Sequence, residues 1–186
     1  MPLIGTFGAA SSRGFGYAGG GAKFVTATGG CVSTVGDFKV HVFNGPGTFC
    51  VSCAGNEDGS NTVDYLVVAG GGGAGFNNAG GGGGGGYRES PGAATGCYTV
   101  SPKAGGSALP VSIQGYPIDV GNGGSGSSGS QGGDGNDSVF STITSSGGGG
   151  GAKGEGSNSG RSGGSGGGGG YPGGSAGSGN SPPTSP

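Results

Sequence analysis

The sequence predicts an all-β protein with glycine-rich extended segments of the polyproline II or polyglycine II type, elongated into a fibre and with essentially no helix. Glycine accounts for 58 of the 186 residues and occurs in unbroken runs. Short segments rich in Val, Phe, Tyr and Thr lie between these runs, as expected for strands. No window has the i, i+3, i+4 apolar spacing of an amphipathic helix. The 10 prolines and the lack of a strict G-X-Y repeat exclude collagen.

The composition argues against several classes of function. Charged residues make up 9% of the chain, the net charge is −2 and the basic residues are scattered singly, so we expect no nucleic-acid partner. No apolar stretch approaches the roughly 20 residues of a membrane helix, and we expect no membrane insertion. With no Trp, one Met and one His, the chain offers little catalytic chemistry. We predict that it is not an enzyme and holds no cofactor or metal.

Glycine density divides the chain into four parts. Residues 1–21 are predicted to form an N-terminal attachment segment and residues 22–69 a small β-rich part. Residues 70–180 form the glycine-rich fibre domain. Residues 181–186 are a Pro/Ser tail that we expect to continue beyond the sequence given.

The β-rich part contains several strand patterns. Residues 24–28 predict a short strand, and residues 37–43 alternate so that Phe38, Val40 and Val42 share a face. The sequence Asn-Gly-Pro-Gly at 44–47 is typical of a turn, so residues 48–51 are predicted to return as the second arm of a hairpin. Residues 63–69 are almost continuously apolar after Asp64, which predicts a strand buried on both faces.

Beyond residue 69, glycine runs at 70–73, 80–86, 147–151 and 166–170 alternate with short islands that predict strands. The islands are residues 87–88, 109–113, 116–120 and 138–143. Glycine also recurs at every third position over 123–135 and, except for Ser157, over 148–169. A threefold period suits polyproline II helices, which without side chains can pack closely as hydrogen-bonded rods. The alternative is that the runs are flexible linkers between strands.

The glycine-rich part has little to offset the cost of ordering it. Glycine loses more backbone freedom on folding than any other residue, and few apolar side chains are present to compensate. We therefore expect either disorder or an assembly in which backbone hydrogen bonds and neighbouring chains supply the stability.

Several segments together carry a resemblance. Residues 1–16 (MPLIGTFGAASSRGFG) resemble the N-terminal signature of fibre proteins of marine, T4-like cyanophages. The rest of the chain is similar to the glycine-rich domain of those proteins in the order of four segments. These are residues 63–73, the glycine run ending at Tyr87-Arg88, GYPIDVG at 115–121 and GNDSVF at 135–140.

The resemblance implies a virion structural protein, a tail, neck or head fibre subunit. Its N-terminus would attach to the particle and its distal part would project toward the host cell. It also implies a homotrimer that binds other virion proteins, assembles in the host cytoplasm and is extracellular after lysis. We expect the anchor to comprise Leu3, Ile4, Phe7, Arg13 and Phe15, since exposed apolar groups in a flexible context favour a partner groove. The inter-chain core is expected at Tyr65, Leu66, Val67 and Val68.

Two other interpretations remain open. In the first, the chain is an adhesin module, and exposed Tyr17, Tyr87, Tyr116 and Tyr171 stack on host surface glycans. In the other it is a non-viral extracellular glycine-rich filament, although the N-terminus has neither the basic nor the apolar region of a secretion signal.

Two motif matches indicate weaker hypotheses. Residues 132–140 fit the calcium-binding nonapeptide G-G-x-G-x-D-x-U-x, but calcium binds between stacked tandem copies and the motif occurs once. We interpret Asp137 as the cap of a turn before the strand at 139–143. Residues 14–19 fit G-x-G-x-x-G without the strand and helix that dinucleotide binding requires.

The cysteines and the histidine indicate no catalytic site. Cys50 and Cys53 form the one C-x-x-C, and Cys31, Cys97 and His41 are not spaced as a second metal-binding pair. We expect free thiols in a reducing cytosol, with a structural disulfide as the alternative. His41 lies on a predicted strand, and we interpret it as a surface residue.

Overall fold

The computed structural model describes residues 21–90, 107–156 and 158–180. These residues form antiparallel β-sheets and no helix, which confirms the all-β prediction. The strands are β1 (Val25–Thr28), β2 (Cys31–Val35), β3 (Phe38–Val42), β4 (Gly47–Ala54), β5 (Thr62–Val63), β6 (Leu66–Val68), β7 (Tyr87–Glu89), β8 (Leu109–Pro110), β9 (Gly115–Asp119), β10 (Ser138–Phe140) and β11 (Ile143–Ser145).

One five-stranded sheet, in the order β1-β4-β9-β10-β11, forms the base of the fold. Three two-stranded sheets, β2-β3, β5-β8 and β6-β7, accompany it. The strands predicted at 24–28 and 37–43 and in the islands 87–88 and 116–120 are present, and in the island 109–113 only Leu109–Pro110 is a strand. The single strand predicted at 138–143 is wrong, because residues 141–142 form a turn that divides it into the antiparallel pair β10 and β11. Since β4 pairs with β9, the large sheet combines strands from the parts predicted as 22–69 and 70–180.

The predicted hairpin between residues 37–43 and 48–51 is wrong. β3 pairs with β2, and β4 pairs with β1 on one side and β9 on the other. The reason is local: Val35 lies opposite Phe38, so β2 and β3 are joined by the two-residue turn Gly36-Asp37, with Gly36 at a φ of 58°. Glycine adopts this φ without steric cost, and Gly-Asp is a common hairpin turn.

The core lies on one face of the large sheet and is centred on aromatic rings. Phe49 contacts Phe140 edge-to-face, with ring centroids 6.0 Å apart, and Tyr116 at 6.5 Å. Val51, Val67 and Val111 complete the buried cluster. Aromatic pairs at these separations add to the stability gained from burying their area.

Residues 63–69 do not form one strand buried on both faces, as the sequence predicted. They form the end of β5 and all of β6, and β6 alternates: Val67 is buried, whereas Leu66 and Val68 are 60% and 51% exposed. β6 belongs to a two-stranded sheet, so in this chain only its inner face is covered by the core.

The glycine-rich segments form extended rods, numbered here in chain order. Rods 1 and 2 comprise residues 69–76 and 80–86, and rods 3 and 4 residues 121–127 and 130–137. Rod 5 comprises residues 146–154, and rods 6, 7 and 8 residues 158–163, 165–171 and 174–180. Rods 1, 3 and 5 continue from β6, β9 and β11, and rods 2 and 4 lead into β7 and β10. The sheet strands thus fix where the first five rods begin or end.

The rods are joined by backbone hydrogen bonds with a strict three-residue period. The N–H groups of residues 70, 73 and 76 in rod 1 donate to the carbonyls of 136, 133 and 130 in rod 4. Those of residues 69, 72 and 75 donate to 86, 83 and 80 in rod 2. This period is that of a polyproline II helix, in which every third residue points the same way. The packed-rod interpretation is therefore confirmed over the flexible-linker alternative.

Rod 5 is the centre of the bundle. It is hydrogen-bonded to rods 1, 2, 4, 6 and 7, and residues 145–152 are all buried. A Cβ on Gly151 would lie 1.9 Å from the carbonyl oxygen of Gly80, and one on Gly149 would lie 1.9 Å from that of Arg161. Only glycine permits this approach, so backbone hydrogen bonds replace side-chain packing as the contact between rods.

Candidate interaction surfaces

The β2-β3 hairpin carries an uncovered apolar face. Opposed residues of an antiparallel pair point to the same side, so the register places Val35 and Phe38 together with Val40 and Val42. These four side chains, here termed the hairpin face, are each 38% to 62% exposed. A two-stranded hairpin is marginally stable alone, and exposed apolar patches mark interaction sites.

The other side of the hairpin is attached to the core through His41. Its Nδ1 donates a hydrogen bond to the carbonyl of Gly29 at 2.8 Å, and its ring lies edge-on to Phe49 at 5.1 Å. His41 is partly buried rather than a free surface residue. It therefore fixes the hairpin so that the hairpin face points away from the core.

A second apolar patch lies on β6 and β7 and consists of Leu66, Val68 and Tyr87. Val68 lies directly opposite Tyr87, and all three are exposed. Of the four residues predicted for the inter-chain core, Leu66 and Val68 are thus available to a partner. Val67 is buried in the core of this chain, and Tyr65 packs against that core. We refer to the exposed group as the β6-β7 patch.

The tyrosines predicted to contact glycans differ in their environments. Tyr171 is 71% exposed, and Tyr87 is exposed with its hydroxyl donating to Glu89 Oε2 at 2.6 Å. The prediction that Tyr116 is exposed is wrong, because its ring fills the core beside Phe49. The N–H of Ser112 donates to its hydroxyl at 2.7 Å, and hydrogen bonds with Ser112 lower the pKa of Tyr116. Tyr17 lies outside the described residues.

The predicted anchor residues also lie outside the described residues. They are Leu3, Ile4, Phe7, Arg13 and Phe15. The anchor prediction therefore stays a prediction.

Sequence reasoning missed a surface at the turns that connect the rods far from the large sheet. Gly154 N–H donates to the carbonyl of Phe76, and Tyr171 N–H donates to that of Asn78. Asn77 donates from its side chain to Glu155. Asn77, Asn78 and Glu155 have positive φ angles of 51°, 47° and 66°. The pair Asn77-Asn78 between glycine runs was the available signal, because Asn tolerates this conformation. Phe76, Asn77, Asn78, Glu155 and Tyr171 define the rod tip.

Asp134 and Asp137 have a structural role in the rod bundle. Oδ1 of Asp137 accepts a hydrogen bond from Gly147 N–H at 2.8 Å, and Oδ1 of Asp134 accepts one from Gly150 N–H at 2.8 Å. Asp134 also forms a 2.6 Å ion pair with Arg161. Asp137 was interpreted as the cap of a turn just before β10, but it instead binds the start of rod 5, beyond the β10-β11 hairpin.

The described cysteines, Cys31, Cys50 and Cys53, are free thiols, and Cys97 lies outside the described residues. Within the described ranges, no three His, Cys, Asp or Glu side chains are grouped so that they could hold a metal ion. The same ranges contain no helix with the length and apolar character needed to cross a bilayer.

Comparison with known proteins identifies one family. A family model described as a glycine-rich domain matches residues 44–185, from the loop before β4 through all eight rods. No curated protein and no solved structure matches the chain. The matched region covers most of the sequence and coincides with the part that builds the rods. The chain therefore belongs to the glycine-rich domain family.

Proposed function

We propose that this chain is a non-catalytic structural subunit of a phage fibre. Its N-terminal segment attaches to the virion and its rod bundle projects toward the host cell. The observation that carries the proposal is the pair of uncovered apolar surfaces, the hairpin face and the β6-β7 patch, which favours a self-associating protein. The resemblance of residues 1–16 to cyanophage fibre proteins supports the virion as its location. A homotrimer, with other virion proteins as partners, is the assembly we propose.

The rod bundle suits a mechanical connector. Rod 5 is hydrogen-bonded to five neighbouring rods, so a bending force is shared among many backbone contacts. Few side chains lie between rods, and the bundle therefore depends little on side-chain repacking. The protein then holds its virion-attached end and its host-facing end at a fixed separation.

Attachment is tested in assembled particles. Phage carrying a deletion of residues 1–16 are compared with phage carrying a quadruple substitution of Leu3, Ile4, Phe7 and Phe15 to Ser. We expect both proteins to be made and to form oligomers, and both to be missing from purified virions by mass spectrometry. Normal incorporation of either variant contradicts the anchor proposal.

Self-association is tested in solution by light scattering on the full chain. The wild type is expected to give a discrete trimer with a cooperative melt by circular dichroism. A Val35→Ser/Phe38→Ser variant should associate more weakly, because both side chains are exposed and apolar. Open-ended filaments would instead favour the non-viral filament, and a folded monomer at all concentrations contradicts self-association.

A second candidate function, binding of host surface glycans, is favoured by the rod tip. Phe76 and Tyr171 are exposed aromatic residues of the rod tip, and the backbone N–H of Tyr171 donates to the carbonyl of Asn78. Such rings present an apolar face to a sugar while amides donate and accept hydrogen bonds. Substitution of Tyr171 and Phe76 by Ala should then reduce adsorption of intact particles to host cells. Adsorption at the wild-type rate would remove this candidate.

A further inference from the structure

One side of the rod bundle is formed by positions that have no side chain beyond a methyl group. A Cβ on Gly81 would meet no heavy atom within 4 Å, and the nearest atom to one on Gly84 is Ser165 Oγ at 3.6 Å. In rod 1, a Cβ on Gly71 would lie 3.5 Å from its nearest atom, and Ala74 is exposed. In the adjacent rod 3, the corresponding distances for Gly123 and Gly126 are 3.6 and 3.9 Å. We define these six residues as the bare face.

Packing within the chain does not explain glycine at these positions. By contrast, a Cβ on Gly82 would lie 1.9 Å from the carbonyl oxygen of Gly72, and one on Gly85 would lie 2.0 Å from that of Ala69. Glycine is costly for stability because it loses the most backbone freedom on folding. Where the chain itself leaves room for a side chain, glycine is typical of a site that another backbone approaches closely.

The opposite side of the bundle has different chemistry. Rod 4 carries Asp134 and Asp137 there, and rod 6 carries Arg161. The bare face has no charged residue, so two copies of it do not repel each other. Its composition therefore permits contact between identical surfaces.

The bare face also presents unpaired backbone groups at a regular spacing. Within the described residues, the N–H groups of Gly71, Ala74, Gly81 and Gly84 donate no hydrogen bond, and the carbonyls of Gly72 and Gly82 accept none. Along each rod these donors recur every three residues, which is about 9 Å. A matching partner has extended backbone of the same period and no side chains, and the rods of this chain meet that description.

We propose that the bare face is the surface through which copies of this chain contact one another, with glycine rods of a second copy packed directly against it. The face continues into the β6-β7 patch, because Val68 lies three residues before Gly71 and Tyr87 three residues after Gly84. The apolar patch contributes burial of nonpolar area, and the glycine rods contribute backbone hydrogen bonds. In a trimer, three bare faces turn toward the common axis. This inference rests on the proposed self-association and specifies the surface through which the copies associate.

The test places side chains on the bare face without disturbing the fold. The face variant is Gly81→Gln/Gly84→Gln, and the control variant is Gly129→Gln/Gly179→Gln. The control is matched because a Cβ on Gly129 also meets nothing within 4 Å, and one on Gly179 lies 3.6 Å from its nearest atom. Light scattering of the full chain over a concentration series gives the dissociation constant of each protein.

We expect the dissociation constant of the face variant to rise by about tenfold or more and that of the control to stay within about twofold of the wild type. Both variants should keep the wild-type circular dichroism spectrum. Wild-type affinity in the face variant overturns this inference while the proposed self-association stands. A wild type that is monomeric throughout overturns both.

Hydrogen exchange of the wild type provides a measurement that does not depend on any variant. The amides of residues 80–86 should exchange more slowly as the concentration rises and the chains associate. Those of residues 128–129, in the turn between rods 3 and 4, should not change. Equal exchange of residues 80–86 in the monomer and the oligomer overturns the inference.

Discussion

The carboxylate of Asp134 accepts a hydrogen bond from the backbone N–H of Gly150 at 2.8 Å, where no neighbouring rod supplies a carbonyl. Asp137, three residues later, does the same for Gly147, three residues earlier in rod 5. The spacing of the two carboxylates thus matches the period of the rod that they bind. The two aspartates therefore supply the hydrogen-bond acceptors that the carbonyls of a neighbouring rod supply elsewhere in the bundle.

Replacing Asp137 by Ala should therefore destabilise the bundle. The substitution leaves the N–H of Gly147, a buried residue, without a partner, at a cost of about 1–3 kcal/mol. The free energy of unfolding from urea titration measures this change. The control is Asp58→Ala on an exposed loop, for which we expect less than about 0.5 kcal/mol. Equal effects of the two substitutions contradict the role of Asp137.

Two substitutions of Asp134 distinguish the contribution of its hydrogen bond with Gly150 from that of its ion pair with Arg161. Asp134→Asn keeps an oxygen that can accept from Gly150 but removes the charge that pairs with Arg161. Because that ion pair is substantially exposed, we expect a loss of about 0–1 kcal/mol. Asp134→Ala removes both contacts and should lose about 1–3 kcal/mol. If the two variants unfold at the same urea concentration, the hydrogen bond to Gly150 contributes nothing.

Added methyl groups should have opposite effects at buried and open glycines. In Gly151→Ala the Cβ would lie 1.9 Å from the carbonyl oxygen of Gly80, and the backbone must shift at a cost of about 1–3 kcal/mol or more. In Gly129→Ala nothing lies within 4 Å of the Cβ, and reduced freedom of the unfolded chain should stabilise by about 0.4–1 kcal/mol. Melting temperatures by circular dichroism distinguish these directions. Tolerance of Ala at position 151 would contradict the rod packing.

The buried position of Tyr116 predicts a stability effect and no effect on adsorption. Tyr116→Phe leaves the N–H of Ser112 without its acceptor and should cost about 1 kcal/mol. Particles with this variant should adsorb to host cells at the wild-type rate, whereas Tyr171→Ala tests the exposed ring at the rod tip. Reduced adsorption with unchanged stability for Tyr116→Phe would contradict its burial.

His41 should hold the hairpin face in place. His41→Ala removes the hydrogen bond to Gly29 and the edge-on contact with Phe49, with an expected loss of about 1–2 kcal/mol. Lys39→Ala, on the same face of the same strand but with no described contact, is the matched control. Hydrogen exchange of residues 31–42 should quicken in the His41 variant and stay unchanged in the control.

Much of the local structure could be predicted from the sequence. The strands β1, β3 and β7 to β9 follow from β-branched and aromatic residues between glycines, and the alternation of apolar residues in β3 indicates which side chains share a face. Residues 138–143 were predicted as one strand and instead form the hairpin of β10 and β11. The rods follow from the threefold glycine period, since only a helix of three residues per turn aligns every third position. The absence of helix from the part of the chain that the structure describes follows from the lack of any amphipathic pattern.

The pairing of these elements was decided by the tertiary structure. β4 joins β9, about 65 residues away, because the aromatic side chains Phe49, Tyr116 and Phe140 can be buried together only when their strands are adjacent. Burial also decided the roles of single residues: Tyr116 and Val67 face the core, whereas Tyr171, Leu66 and Val68 face outward. Glycines carry no side chain to specify a neighbour, so the choice of rod partners comes from the strands that begin and end the rods and from carboxylates such as Asp134. The sequence by itself determined that rods form, and the three-dimensional fold determined which rods meet.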